Sequence, residues 1–222
     1  MPSTDSKAAA TLPKVHELIR QRWSPRAFAD KPVPKEDLAT ILDAGHWAAS
    51  SYNEQPWRFI VATKEEPESY QKLLGLLVPF NQSWAKSAPV LILMVAKKTF
   101  SHNNSPNGYG LHDAGAALAT MGLQATALGL HIHSMAGFDH DRAKTELQIP
   151  DDYAVAAFSA LGYVGSPDAL PEGVKQQELA PRTRKPLSEL VFTTSWERPF
   201  QLCAPQGLTR IMATPWLGTV AV

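Results

Sequence analysis

Cysteine is almost missing from this chain: Cys203 stands alone. That excludes an intramolecular disulfide and any metal site built from several thiolates, and it suits a reducing cytoplasm. No apolar run is long enough to span a membrane. The first residues, MPSTDSKAAATL, lack both the basic start and the apolar core of a signal peptide. An excess of charge of one sign is missing too. Lys+Arg and Asp+Glu number 21 each, so there is no broad basic field for nucleic acid and no acidic tail. Recognition of an anion must therefore be local. Internal repeats are absent, and no Ser-His-Asp or Cys-His arrangement marks a side-chain nucleophile, so no catalytic side chain is expected.

What is present is a soluble globular composition, 44% hydrophobic and 19% charged over 222 residues, ample for a core. Residues 1–12 read as a flexible N-terminal arm, 13–200 as one domain, and 201–222 as a C-terminal extension without clear period.

The densest chemistry is Arg22-Trp23-Ser24-Pro25-Arg26, at the end of a short helical run over 14–21. Two guanidiniums and a hydroxyl follow one another, and Pro25 forces a bend by fixing its own φ and pushing Ser24 out of helical geometry. Such a bend is either a surface feature or an anion cradle. A helix from Pro34 to about Trp47 follows, then a polar run from Ser50 through Ser51, Asn53 and Gln55 to Pro56. That run is a loop, either solvated or presenting donors to a ligand. Residues 57–63 read as a strand, 65–78 as a helix, 81–84 as a polar junction, and 89–96 as a strand buried on both faces.

After a polar loop over 97–110, small residues dominate a long helix to Gly129. The helix is apolar nearly all round and so belongs in a core or a subunit interface. Residues 131–135 read as a strand, Asp139 as the cap of a helix over 140–147, and 153–164 as another buried strand. Arg182-Thr183-Arg184-Lys185 is the second cationic cluster. His131 and His133 alternate on one strand; with no third ligand nearby, packing is favoured and no metal is expected. Trp47, Trp57 and Trp84 read as core anchors.

Taken together, R-W-S-P-R at 22–26, S-S-Y-N-E-Q-P-W at 50–57, F-N-Q-S-W at 80–84, G-L-H-I-H-S-M-A-G-F-D at 129–139 and R-T-R-K-P-L at 182–187 resemble the nitroreductase superfamily of FMN enzymes. The resemblance spans about residues 14–200. It implies an α+β fold, a mixed sheet flanked by helices, with the long helix central to a homodimer interface. It also implies an FMN-dependent NAD(P)H oxidoreductase with a small-molecule electron acceptor and neither nucleic acid nor membrane as partner.

By the same resemblance, Arg22 and Ser24 match the positions that hold the FMN phosphate and ribityl chain, with Arg182 and Arg184 a second arm on the phosphate; Trp23, also counted as cofactor-binding, stands where a smaller or more polar residue is common. Arg26 matches a cation near the flavin N1 and O2 edge. Ser50, Ser51, Asn53 and Gln55 match a loop given by the neighbouring subunit, and Asn81 a side chain at the pyrimidine edge. Ala136 and Gly137 match backbone near N5, where Ala136 replaces a commonly acidic residue. NADH or NADPH would reduce the flavin, and a nitroaromatic, quinone or activated alkene would reoxidise it by ping-pong. The alternatives are a specialised branch (reductive dehalogenation or flavin fragmentation), a non-catalytic FMN carrier or sensor, or a protein for another anionic ligand.

Overall fold

The computed structural model describes residues 7–201. Backbone contacts divide the chain into two units, Met1–Arg182 and Thr183–Val222. The first is built on a four-stranded sheet of order β1-β2-β4-β3, with β1 Trp57–Thr63, β2 Val90–Lys97, β3 His131–Met135 and β4 Tyr153–Gly162. Around it lie α1 Glu17–Gln21, α2 Lys35–His46, α3 Pro67–Leu76, α4 Pro79–Ala85, α5 Gly110–Ala127, α6 His140–Glu146 and α7 Glu172–Leu179.

The continuous apolar run of β2 makes it a central strand, buried at all but its last residue. Successive side chains point to opposite faces. Leu91, Leu93 and Val95 join Phe158, Tyr70, Leu73 and Trp84 on one side, while Val90 and Ile92 join Ile41, Met121, Ala125 and Leu161 on the other. Helices α3, α4, α6 and α7 therefore cover one face, and α2 and α5 the other. Each fully buried Leu or Ile contributes about 1.5–3 kcal/mol.

The strand pairings are antiparallel throughout, where a mixed sheet was expected. Each pair of neighbours in the sheet therefore runs in opposite directions, whether two helices (β1 to β2) or one (β3 to β4) join them.

Helix α2 packs closely on α5: a Cβ on Gly45 would lie 2.6 Å from Met121 Cγ. Helix α5 buries Ala114, Ala117, Met121 and Ala125. Its opposite stripe, Leu111, Gly115 and Ala119 at four-residue spacing, is exposed among the described residues. Asp139 caps α6 as expected, its carboxylate accepting from Arg142 N at 3.0 Å.

Two expectations are corrected. The polar junction at 81–84 is helix α4: Pro79 supplies the pre-set first turn, and Asn81, Trp84 and Ala85 share its buried face. Trp57 and Trp84 are core residues, but Trp47 is 78% exposed. It follows buried Gly45 by two residues, about 200° round the helix. Within the segment read as an arm, Ala9 N donates to Arg20 O at 2.8 Å, and Lys7 Nζ to Ala180 O at 2.9 Å. In the second unit, Leu187–Glu189 forms a single 3-10 turn and Phe192 bridges Pro199. The expected extension, Cys203 included, lies outside the described residues apart from Gln201.

Candidate functional site

The bend at 22–26 leaves α1 and reaches the sheet at Phe28, which bridges Val164 just beyond β4. Arg22 and Arg26 are half-buried, Ser24 is exposed and Trp23 is buried. Arg22 Nη1 lies 3.5 Å from Ser24 Oγ, and its stem passes close to α5 at Gly122, where a Cβ would come within 3.7 Å of Arg22 Cδ. The backbone of the bend is held from two sides. On one, the Pro25 carbonyl accepts a hydrogen bond from His133 Nδ1 at 2.9 Å. On the other, the Glu178 carboxylate on α7 takes Arg26 N at 2.9 and 3.0 Å and Ala27 N at 3.1 Å.

Further cations gather behind it. Arg182 Nη1 donates to the carbonyls of Lys7 (2.7 Å) and Arg20 (3.1 Å). Lys7 Nζ donates to the backbone carbonyl of Glu178 and stands 5.5 Å over the Trp23 ring. Burial holds the Lys7 ammonium below its ordinary range; nearby Glu178 opposes this and Arg182 adds to it. His131 and His133 are both pushed down to about 4, mainly by burial, with Arg22 adding to the first and Arg26 to the second. Both imidazoles are therefore neutral at pH 7, as the packing reading requires. Among the described residues no group of His, Cys, Asp and Glu suited to a metal ion occurs.

Helix α4 completes this corner. Trp84 packs against His133 at 4.6 Å and beneath the Arg26 guanidinium at 6.0 Å. Asn81 Nδ2 donates to Gly137 O at 2.9 Å, and that carbonyl also accepts from Val78 N at 3.1 Å. Gly137 is required by close approach, since a Cβ would lie 2.6 Å from Asn81 Nδ2. Ala136 beside it is exposed. Trp23 Nε1, Arg26 Nε, Trp84 Nε1 and His131 Nδ1 are buried here without a hydrogen-bond partner among the described residues. Orphaned donors gathered in one corner are a mark of a functional site rather than of an optimised core.

The loop at 50–55 lies elsewhere. It enters β1 at Trp57, which is in register with Ala96 and, across β2, with Ala154. The bend meets His133, in register with Ala160. Six residues along the strands are about 20 Å and three strand spacings about 14 Å, so Trp57 and His133 lie roughly 24 Å apart across the sheet. The loop is tightly specified. Tyr52, Asn53 and Gln55 have φ of 52°, 54° and 49°, a left-handed geometry unfavourable for side-chain-bearing residues. Ser51 N donates to Asp113 Oδ2 at 2.9 Å, Gln55 N to Ser50 Oγ at 3.0 Å, and Gln55 Nε2 to Asn53 O at 2.9 Å. Ser101 N and Oγ both bond the Glu54 carboxylate, at 2.8 and 2.6 Å.

One chain thus gathers Arg22, Trp23, Ser24, Arg26, Asn81, Ala136, Gly137 and Arg182 around one corner, and places Ser50, Ser51, Asn53 and Gln55 at another. Arg184 belongs to the second unit, exposed, with Nη1 donating to Thr183 O at 2.7 Å. Sequence reasoning missed Lys7 and Glu178. The faint signal for Glu178 is its place one turn after buried Val174 on α7.

Residues 19–163 match the Nitroreductase family. The chain belongs to that family, a family of oxidoreductases. It is 40% identical, with a TM-score of 0.81, to a crystal structure described as an oxidoreductase containing FMN, covering 87% of this chain and 98% of that one. A putative nitroreductase in complex with FMN from Desulfovibrio desulfuricans is 29% identical over 86% of this chain and 100% of its own, with a TM-score of 0.65. Among curated proteins, an NADH dehydrogenase of Thermus thermophilus is 28% identical over 73% of this chain and 88% of its own length.

Proposed function

We propose that this protein is an FMN-dependent oxidoreductase of the nitroreductase family, reduced by NADH or NADPH and reoxidised by a nitroaromatic, quinone or activated alkene in ping-pong exchange. The observation that carries the reading is the corner at 22–26: two guanidiniums and a hydroxyl on a bend whose peptide groups are already anchored. This donor set fits a phosphomonoester, which carries about −1.5 to −2 charge near neutrality and is bound best by several charge-assisted donors. The relatives described with FMN support the same group here.

Bound FMN would supply the hydride chemistry that no side chain provides. The chain's own residues hold and tune it. Arg22 and Ser24 would take the phosphate, with Arg182 adding positive field while it fixes the N-terminal segment against the end of α1. Arg26, held over Trp84, would place a cation by the flavin edge where negative charge gathers on reduction. Asn81 fixes the Gly137 carbonyl and so shapes the backbone expected beside N5.

A homodimer belongs to the same proposal. The loop at 50–55 is tethered at Asp113 and the bend lies against Gly122, at separate places along α5, and the loop that serves the flavin on this bend would be the second copy's. The exposed stripe of small apolar residues on α5 offers a surface on which a second copy would bring its loop to this bend.

The test is the visible spectrum of the purified protein, before and after anaerobic NADH and NADPH. A flavin spectrum that bleaches, then returns on adding a nitroaromatic or quinone, supports the proposal. A flavin that stays oxidised makes the protein a carrier or sensor. A colourless protein that takes up no added FMN overturns it.

A further inference from the structure

Glu178 stands out in the cationic corner. It is 5% exposed, lies on a helix with no other part in the proposed site, and stands beside the Lys7 ammonium, whose Nζ bonds the Glu178 carbonyl. A carboxylate beside a site for a phosphate dianion opposes that anion by charge alone. Its oxygens nevertheless accept backbone N–H groups of the bend: both oxygens receive Arg26 N, and Oε1 also receives Ala27 N. His133 holds the adjoining peptide from the other side through the Pro25 carbonyl. Three consecutive residues of the bend are thereby fixed by their backbone.

We propose that Glu178 is a positioning residue for the phosphate site: with His133 it clamps the backbone at Pro25, Arg26 and Ala27, so that the side chains on that bend are aimed before the ligand arrives. Pre-organised donors bind more tightly because the ordering cost is met during folding. The segment from Lys7 supports the clamp, since Lys7 Nζ bonds the carbonyls of Glu178 and Ala180 at the end of α7. This inference rests on the reading of the bend as a phosphate site, and the experiment separates the two.

Apoprotein is titrated with FMN and with riboflavin, which differ only by the phosphate, and flavin fluorescence is followed. The wild type is expected to prefer FMN by more than tenfold. In Glu178→Gln an amide oxygen replaces one acceptor, while the NH2 group faces donors. The FMN/riboflavin preference should then fall by about tenfold, with riboflavin, which meets only Arg26, weakened much less than FMN, and hydrogen exchange at the Arg26 and Ala27 amides should accelerate. Glu178→Asp keeps the charge but withdraws the carboxylate; it should give a smaller fall and stands in if the Gln variant does not fold. An unchanged preference in these variants overturns the clamp while leaving the phosphate site intact. So does tighter FMN binding, which would make the carboxylate only an opposing charge, and so does equal weakening of both ligands, which is a general structural role. A wild type with no preference for FMN overturns the phosphate reading and the clamp with it.

Discussion

The bend at 22–26 and the loop at 50–55 are both irregular, polar and tied to buried carboxylates, yet they are held in opposite ways. The bend has ordinary backbone geometry, and its peptide groups are received by α7 and β3 through Glu178 and His133. The loop stores strain: three left-handed residues in four, with Tyr52 83% exposed. Its tether is Asp113, 3% exposed at the start of α5, which receives Ser51 N. The first is anchored by its own chain and, in our proposal, forms the anion cradle. The other is a strained presentation of polar groups to something outside it. The sheet keeps them apart, and α5, which carries Asp113 and lies along Arg22, is the element common to both.

The strongest way to break this contrast is at α5. Ala119→Arg places a cation on the exposed small-residue stripe and leaves the buried face untouched. We expect a monomer by analytical ultracentrifugation, with its fold retained by circular dichroism and its flavin lost. A folded monomer that keeps full flavin would separate the loop from the site. Next comes the cradle. Arg22→Ala removes a charge-assisted contact of about 1.5–3 kcal/mol, so FMN affinity should fall about 10- to 150-fold in an equilibrium titration, with the dimer intact.

Acid tests the corner's neutral histidines. The folded values of His131 and His133, about 4, lie below the value of about 6.5 for an unfolded imidazole. The unfolded state therefore binds more protons, and stability rises with pH across that interval. Lowering pH from about 6.5 to about 4 should cost roughly 3 kcal/mol per histidine, read as a falling denaturation midpoint in urea. His133→Asn should flatten the slope. The smallest effect is expected in the loop: Gln55→Gly relieves one left-handed residue and should raise stability by about 1 kcal/mol, measured by thermal melting, while the exposed polar contact it contributed is lost.

The same contrast explains what was legible in the residues. β1, β2 and β3 could be read because apolar runs of strand length end in polar junctions, and α6 because Asp139 is a good cap. α4 was hidden because Asn81, Gln82 and Ser83 look like a loop; only Pro79 and the Asn81, Trp84 spacing betray the helix. At the site, guanidiniums in a Pro-marked bend are visible because their chemistry is unusual for so short a stretch. Glu178 was not visible, because a glutamate among Gln176, Gln177 and Leu179 looks like a solvated helix face, and its partners are backbone groups about 150 residues away. The distance between bend and loop could not be read at all, since it depends on strand order and register.

The most direct test of the central claim, a site assembled from the bend of one copy and the loop of another, is complementation between two defective chains. Arg22→Ala, with a defective bend, and Asn53→Ala, with a defective loop, are co-expressed with different tags, and the heterodimer is isolated and its bound FMN counted. If each site draws on both copies, the heterodimer holds one intact site and should carry close to one FMN per dimer at a flavin concentration that leaves both homodimers largely empty. A heterodimer as empty as its parents would mean that each chain builds its site alone, and would contradict the account.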